Sequence, residues 1–124
     1  MTVEVYVHPD TVDITFDGVD RFLCFQDRLI VSMDEIVSAR VVPIDRAAED
    51  RGWRVRGGYW PGRLCTGLFG VRGQKGLRQL WCVYRDTEVL MIELRRPKLV
   101  KLVLQHPDRH NLAWLIGERI SPPV

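Results

Sequence analysis

The chain lacks the features that most directly announce a function. No apolar run approaches the ~20 residues needed to span a bilayer. The first residues, Met1-Thr2-Val3-Glu4-Val5-Tyr6-Val7, carry no basic cluster and no long apolar stretch, so they do not read as a signal peptide. Cysteine is scarce and odd in number: Cys24, Cys65 and Cys82, with no Cys-x-x-Cys spacing, which points to reduced thiols in a cytoplasm. There is no Gly-x-Ser-x-Gly, His-Glu-x-x-His, phosphate-binding loop or dinucleotide fingerprint. Ser32 and Ser38 have no histidine near them in sequence, and the acids Asp34-Glu35 are explained by helix capping. Catalysis therefore has no support, and no cofactor is implied.

Composition fits one ordinary soluble domain. The chain has 124 residues, with 46% hydrophobic and 27% charged, so a disordered tail and a disulfide-dense mini-domain are excluded. No repeat or linker divides it, and residues 1–124 read as one domain with a core over 12–120.

The net charge of +2 conceals an asymmetry. Residues 1–45 hold nine acids against three bases, whereas residues 46–85 hold nine bases against Glu49 and Asp50. Eight of those nine bases are arginines, whose planar fork suits carboxylate and phosphate. Two readings follow. The central arginines form a surface for an anion or an acidic partner, or they neutralise the acidic first third across the fold.

The hydrophobic period is mostly two. Ile14 and Phe16 alternate with polar residues, and Asp17-Gly18 is a hairpin signal. Phe22–Phe25 and Leu29–Val31 are short apolar runs. Ser32 and Glu35 form a capping box, predicting one helical turn before a strand over Val37–Val42 that ends at Pro43. Residues 45–52 read as a loop or a single helical turn. In Trp53-Arg54-Val55-Arg56, alternation puts both arginines on one face. Gly57–Gly62 reads as a stiff turn region, Leu64–Val71 and Leu77–Tyr84 as a hairpin around Gly73-Gln74-Lys75-Gly76. Val89–Leu94 places Leu90, Ile92 and Leu94 on one face, and Leu99–Leu104 is a further strand. The period then changes. After Pro107 and Asp108, Leu112, Leu115, Ile116 and Ile120 fall on one helix face, and Pro122-Pro123 stops it.

Many short strands followed by one amphipathic helix predict a mainly β fold. The expected architecture is a β-barrel of about seven antiparallel strands with the C-terminal helix plugging one end. Several segments strengthen this. Ser32–Ala39, Gly57-Gly58-Tyr59-Trp60-Pro61-Gly62, Gly67-Leu68-Phe69, Leu80–Val83, Val89–Leu94 and His106-Pro107-Asp108 resemble, in order and spacing, small bacterial pleckstrin-homology-like (PH-like) domain proteins. The resemblance covers roughly residues 14–118. It implies a PH-like roll and binding of phosphoinositides, peptides or protein partners rather than catalysis.

Candidate binding residues are Arg51, Arg54, Arg56 and Arg63, with Arg72 and Lys75 in the next turn and Trp60 beside them. They would serve a phosphate or carboxylate ligand, although the tight basic turn of lipid-binding PH domains is missing. Trp53, Tyr59 and Trp60 interleave with these bases, as at protein interfaces, unless Trp53 is core. The modest charge argues against nucleic acid. His106 and His110 stand four apart, but Pro107 breaks the pair, so no metal site is read. Cys65 and Cys82 lie on consecutive strands and would face each other across the hairpin, or else be small buried thiols. The expected function is a cytoplasmic adaptor for a protein partner or for its own copies. The alternative is peripheral binding, through the central arginine-rich face, of anionic lipid at the inner face of the membrane or of another phosphate-bearing ligand.

Overall fold

The computed structural model describes residues 3–16, 28–60, 64–84 and 87–120. Among the described residues nine strands form two sheets. The smaller sheet is a meander of β1 (Val3–Val7), β2 (Thr11–Phe16) and β3 (Arg28–Ser32). The larger sheet contains β4 (Ile36–Pro43), β5 (Arg51–Trp60), β6 (Leu64–Val71), β7 (Gln74–Tyr84), β8 (Glu88–Leu94) and β9 (Leu99–Leu104), in the order β4-β8-β9-β7-β6-β5. A one-turn helix, α1 (Ile44–Ala47), follows β4, and the chain's main helix is α2 (Arg109–Arg119).

The expected roll of about seven antiparallel strands is corrected in three respects. Among the described residues there are nine strands, they fall in two sheets, and β7 runs parallel to β9. Among the described residues the large sheet does not close on itself, because β4 and β5 stand at its two edges. Apart from Glu88, Glu93 and Lys101, β8 and β9 are apolar on both faces, and a strand buried on both faces belongs inside a sheet. β9 therefore enters between β7 and β8, pairing Trp81 with Val103 on one side and Ile92 with Leu102 on the other. Gln105 locks this arrangement, since its backbone N–H donates to the Cys82 carbonyl and its Oε1 accepts from the Tyr84 N–H.

Alternation along these strands creates two cores. Leu90, Ile92 and Leu94 of β8 join Leu80, Cys82, Leu102 and Leu104 against Val5, Val12, Ile14, Val31 and the helix residues Leu112 and Ile116. Val89, Met91, Trp81, Val103, Cys65 and Phe69 form the second core on the opposite face, with Ala47 of α1. The helix α2 lies chiefly on β4, with lesser contact to β1 and β8. Leu112 and Ile116 are its buried residues, while Leu115 and Ile120 are only half-buried. The buried line is thus narrower than the predicted face.

The capping box stands as read: Ser32 N–H donates to Glu35 Oε1 at 3.0 Å, and Ser32 Oγ accepts from the Asp34 N–H. The region read as a stiff turn at Gly57 continues instead as strand to Trp60. Gly57 has φ +107°, and a Cβ there would lie 2.3 Å from the Thr66 carbonyl oxygen, so glycine lets β5 close on β6. The hairpin signal at Asp17-Gly18, the Phe22–Phe25 run and Pro122-Pro123 lie outside the described residues.

Candidate functional site: a cationic groove

The start of β5 is fixed by buried polar groups. Gln79, fully buried, donates from Nε2 to the carbonyls of Gly70 (2.9 Å) and Asp50 (3.2 Å) and accepts from Trp81 Nε1 (2.7 Å). Arg72 N–H donates to the same Asp50 carbonyl at 2.7 Å. Lys101 Nζ, also buried, donates to the Ala47 carbonyl and to Asp50 Oδ1. Both polar atoms of the Gln79 side chain and the Lys101 ammonium are thus engaged, as burial requires.

On that base sits Arg51. Its guanidinium carbon lies 4.5 Å from the Tyr59 ring centroid, 4.8 Å from Trp81 and 5.7 Å from Phe69. Nη2 donates to Tyr59 Oη at 3.0 Å and Nη1 to Cys65 Sγ at 3.4 Å. Three ring faces and a hydroxyl hold the cation in place. Among the described residues no carboxylate pairs with it. Burial pushes the Cys65 thiol up to about 11, against the pull of Arg51, so Cys65 stays a neutral thiol and a poor nucleophile.

Arg51 lines a groove of about 820 Å³ between β5 and the β6–β7 turn. Its other cationic walls are Arg72, Lys75 and Arg78, and its apolar walls are Trp53 and Val55. Among the described residues no acidic side chain lines it. Trp53 is 91% exposed, which corrects the reading that would put it in the core. Among the described residues no ion pair joins any of the central bases to a carboxylate.

The sequence-predicted group is therefore divided. Arg51, Arg72 and Lys75 converge on the groove, while Arg54 and Trp60 are exposed on β5 but do not line it. The simple alternation expected over Trp53–Arg56 is interrupted, because the β5–β6 register shifts between Arg51 and Arg54 and again between Arg54 and Arg56. The side chain of Arg56, and all of Arg63, lie outside the described residues. Arg78 was not singled out by sequence, although it shares the face of β7 opposite Gln79. Gln79 itself carried no sequence signal, since a glutamine inside an apolar strand reads equally as a solvent-facing position.

The other candidates resolve simply. Cys65 pairs in register with Val83, and Cys82 with Thr66, so the two thiols sit on opposite faces in different cores and cannot meet. Both are free. His106 precedes α2, and its Nδ1 accepts from the Asp108 N–H at 3.0 Å; burial pushes its pKa below the usual histidine value. His110 lies within α2, 3.8 Å from Glu88. Among the described residues no group of three His, Cys, Asp or Glu side chains could hold a metal ion. A second, smaller cleft of about 210 Å³ has internally matched charges, with Arg40 on Glu93 at 2.9 Å and Lys101 on Asp50. It offers no surplus charge.

The chain matches no family model, no curated protein and no solved structure. The functional reading therefore rests on the groove alone.

Proposed function

We propose that this chain is a non-enzymatic binding module whose groove receives an acidic segment of a partner protein. One observation carries the reading: among the described residues, a guanidinium is held by three aromatic rings and no carboxylate, at the wall of a groove whose remaining charges are all positive. A cation already fixed in position loses little conformational freedom when an anion arrives. Trp53 and Val55 add exposed apolar area beside the charge, the combination favoured at protein interfaces. The groove exceeds what a single phosphate fills and suits several side chains of a peptide.

The binding class agrees with the PH-like resemblance, and the proposal does not include a closed roll. A cytoplasmic setting belongs to the same proposal. Self-association through this face is disfavoured, because two copies would oppose like charges. The second reading is peripheral contact with anionic lipid, favoured by an exposed tryptophan beside Arg72 and Lys75. No helix among the described residues is long and apolar enough to cross a membrane.

The test is a titration of tryptophan fluorescence with a glutamate-rich peptide and, separately, with phosphatidylserine vesicles. Binding of the peptide that weakens with salt supports the groove reading. Vesicle binding without peptide binding moves the surface to lipid.

A further inference from the structure

Resting on the groove reading, we infer that the acidic partner segment binds as an added β-strand along the free edge of β5. β5 is one of the longest strands, at ten residues, and it ends the six-stranded sheet. Among the described residues it is laddered on one side only, to β6. A long open edge presents backbone donors and acceptors that an extended chain can satisfy.

The other sheet edges are less available. β4 lies under α2. On β3, Arg96 Nη2 occupies the Ile30 carbonyl at 2.8 Å, and β1 has only five residues. The β5–β6 register is broken between Arg51 and Arg56 and runs unbroken from Arg56 to Trp60, with Gly57 at φ +107° inside that stretch.

Charge selects the occupant. The charged residues of β5 are Arg51, Arg54 and Arg56, all positive. An antiparallel copy of the same strand would stack arginine near arginine, which opposes a β5–β5 dimer. An acidic extended segment has the complementary sign. Laid along β5, it would turn every second side chain toward the groove side, where Trp53, Arg72 and Lys75 stand.

The experiment uses the full chain and a short peptide alternating glutamate with valine. Two further peptides carry the same sequence with alternate backbone nitrogens methylated, one in each register. Methylation keeps charge and side chains and removes the strand-pairing N–H groups along one edge. The expected result is that the unmodified peptide binds and slows amide exchange over β5. One methylated form should bind ~10-fold or more weakly. Equal binding of all three peptides overturns strand addition and leaves the groove reading standing. No binding of any peptide at low salt removes both. A dimer that protects the β5 amides without peptide also overturns the inference, as do phosphatidylserine vesicles that bind where the peptide does not.

Discussion

Lys101 Nζ meets Asp50 Oδ1 at 2.5 Å, and the two side chains differ sharply in exposure, 9% for the lysine and 48% for the aspartate. The ion pair joins the central strand β9 to the turn that launches β5. It thus positions the groove without entering it. The asymmetry has a measurable consequence. Asp50→Ala leaves a buried ammonium with only the Ala47 carbonyl and should cost about 2 kcal/mol, a figure reduced for the partly exposed partner. Lys101→Met fills similar space and leaves an aspartate that water can reach, so it should cost about 1 kcal/mol or less. Urea unfolding of the two variants checks the order, and equal losses would contradict the account.

Gly57 and Gly73 both have positive φ, at +107° and +79°, but only Gly57 is crowded. Gly73→Ala meets open space and should cost about 1 kcal/mol, the backbone penalty alone. Gly57→Ala must also push the Thr66 carbonyl away and should cost about 3 kcal/mol or more, separating β5 from β6. Thermal unfolding with amide exchange on β5 distinguishes them. A Gly57→Ala protein as stable as Gly73→Ala would mean that the β5–β6 approach is looser than described.

Acid sensitivity should arise from two arginine-held carboxylates. Hydrogen bonds from Arg28 hold Asp13 below its ordinary value of 3.8, against the opposing effect of burial. Hydrogen bonds from Arg96, then from the Ser32 N–H, hold Glu35 below its ordinary 4.5. Both groups bind protons more weakly when folded. Their contribution is therefore complete above the ordinary values and is lost as pH falls through the lowered ones. Stability should begin to decline below about pH 4.5. Arg96→Gln should shrink that decline, because Glu35 then titrates more alike in both states. Urea midpoints across acid pH provide the measurement, and an unchanged slope in the variant would rule out this source.

Ile116→Asp should unfold the domain. Ile116 is fully buried among Leu112, Leu90 and the small sheet, and an unpaired carboxylate cannot be solvated there. Leu115→Asp, at a half-buried position, should be distinctly milder. Circular dichroism of both variants tests this, and a folded Ile116→Asp protein would refute the packing of α2.

Much of this fold was legible because the signals were local. The capping box needs only Ser32 and Glu35, and the period-two pattern of Leu90, Ile92 and Leu94 assigns one face of β8 without knowing its neighbours. Strand order is different in kind. The insertion of β9 between β7 and β8 depends on pairings such as Trp81 with Val103, far apart in sequence, and no local period specifies them. The first strand, Val3–Val7, was passed over although Val3, Val5 and Val7 alternate with Glu4 and Tyr6, a period-two signal of the same local kind. The site was half-legible. Excess arginine marked Arg51, Arg72 and Lys75, but the register shifts in β5 removed Arg54 from the groove, and a bulge leaves no reliable mark in composition. The sequence left Trp53 between an interface position and the core, because an aromatic residue in an alternating strand is often buried, and its 91% exposure decides for the surface.

The most direct test of the cationic groove is the affinity of a glutamate-rich peptide for the wild-type chain and for Arg72→Glu/Lys75→Glu, at low salt. Both residues are exposed and make no ion pair among the described residues, so the fold should survive the change. The account predicts saturable binding by the wild type and a loss of ~10-fold or more in the variant. Equal affinity in the two proteins, with both folded, would contradict it.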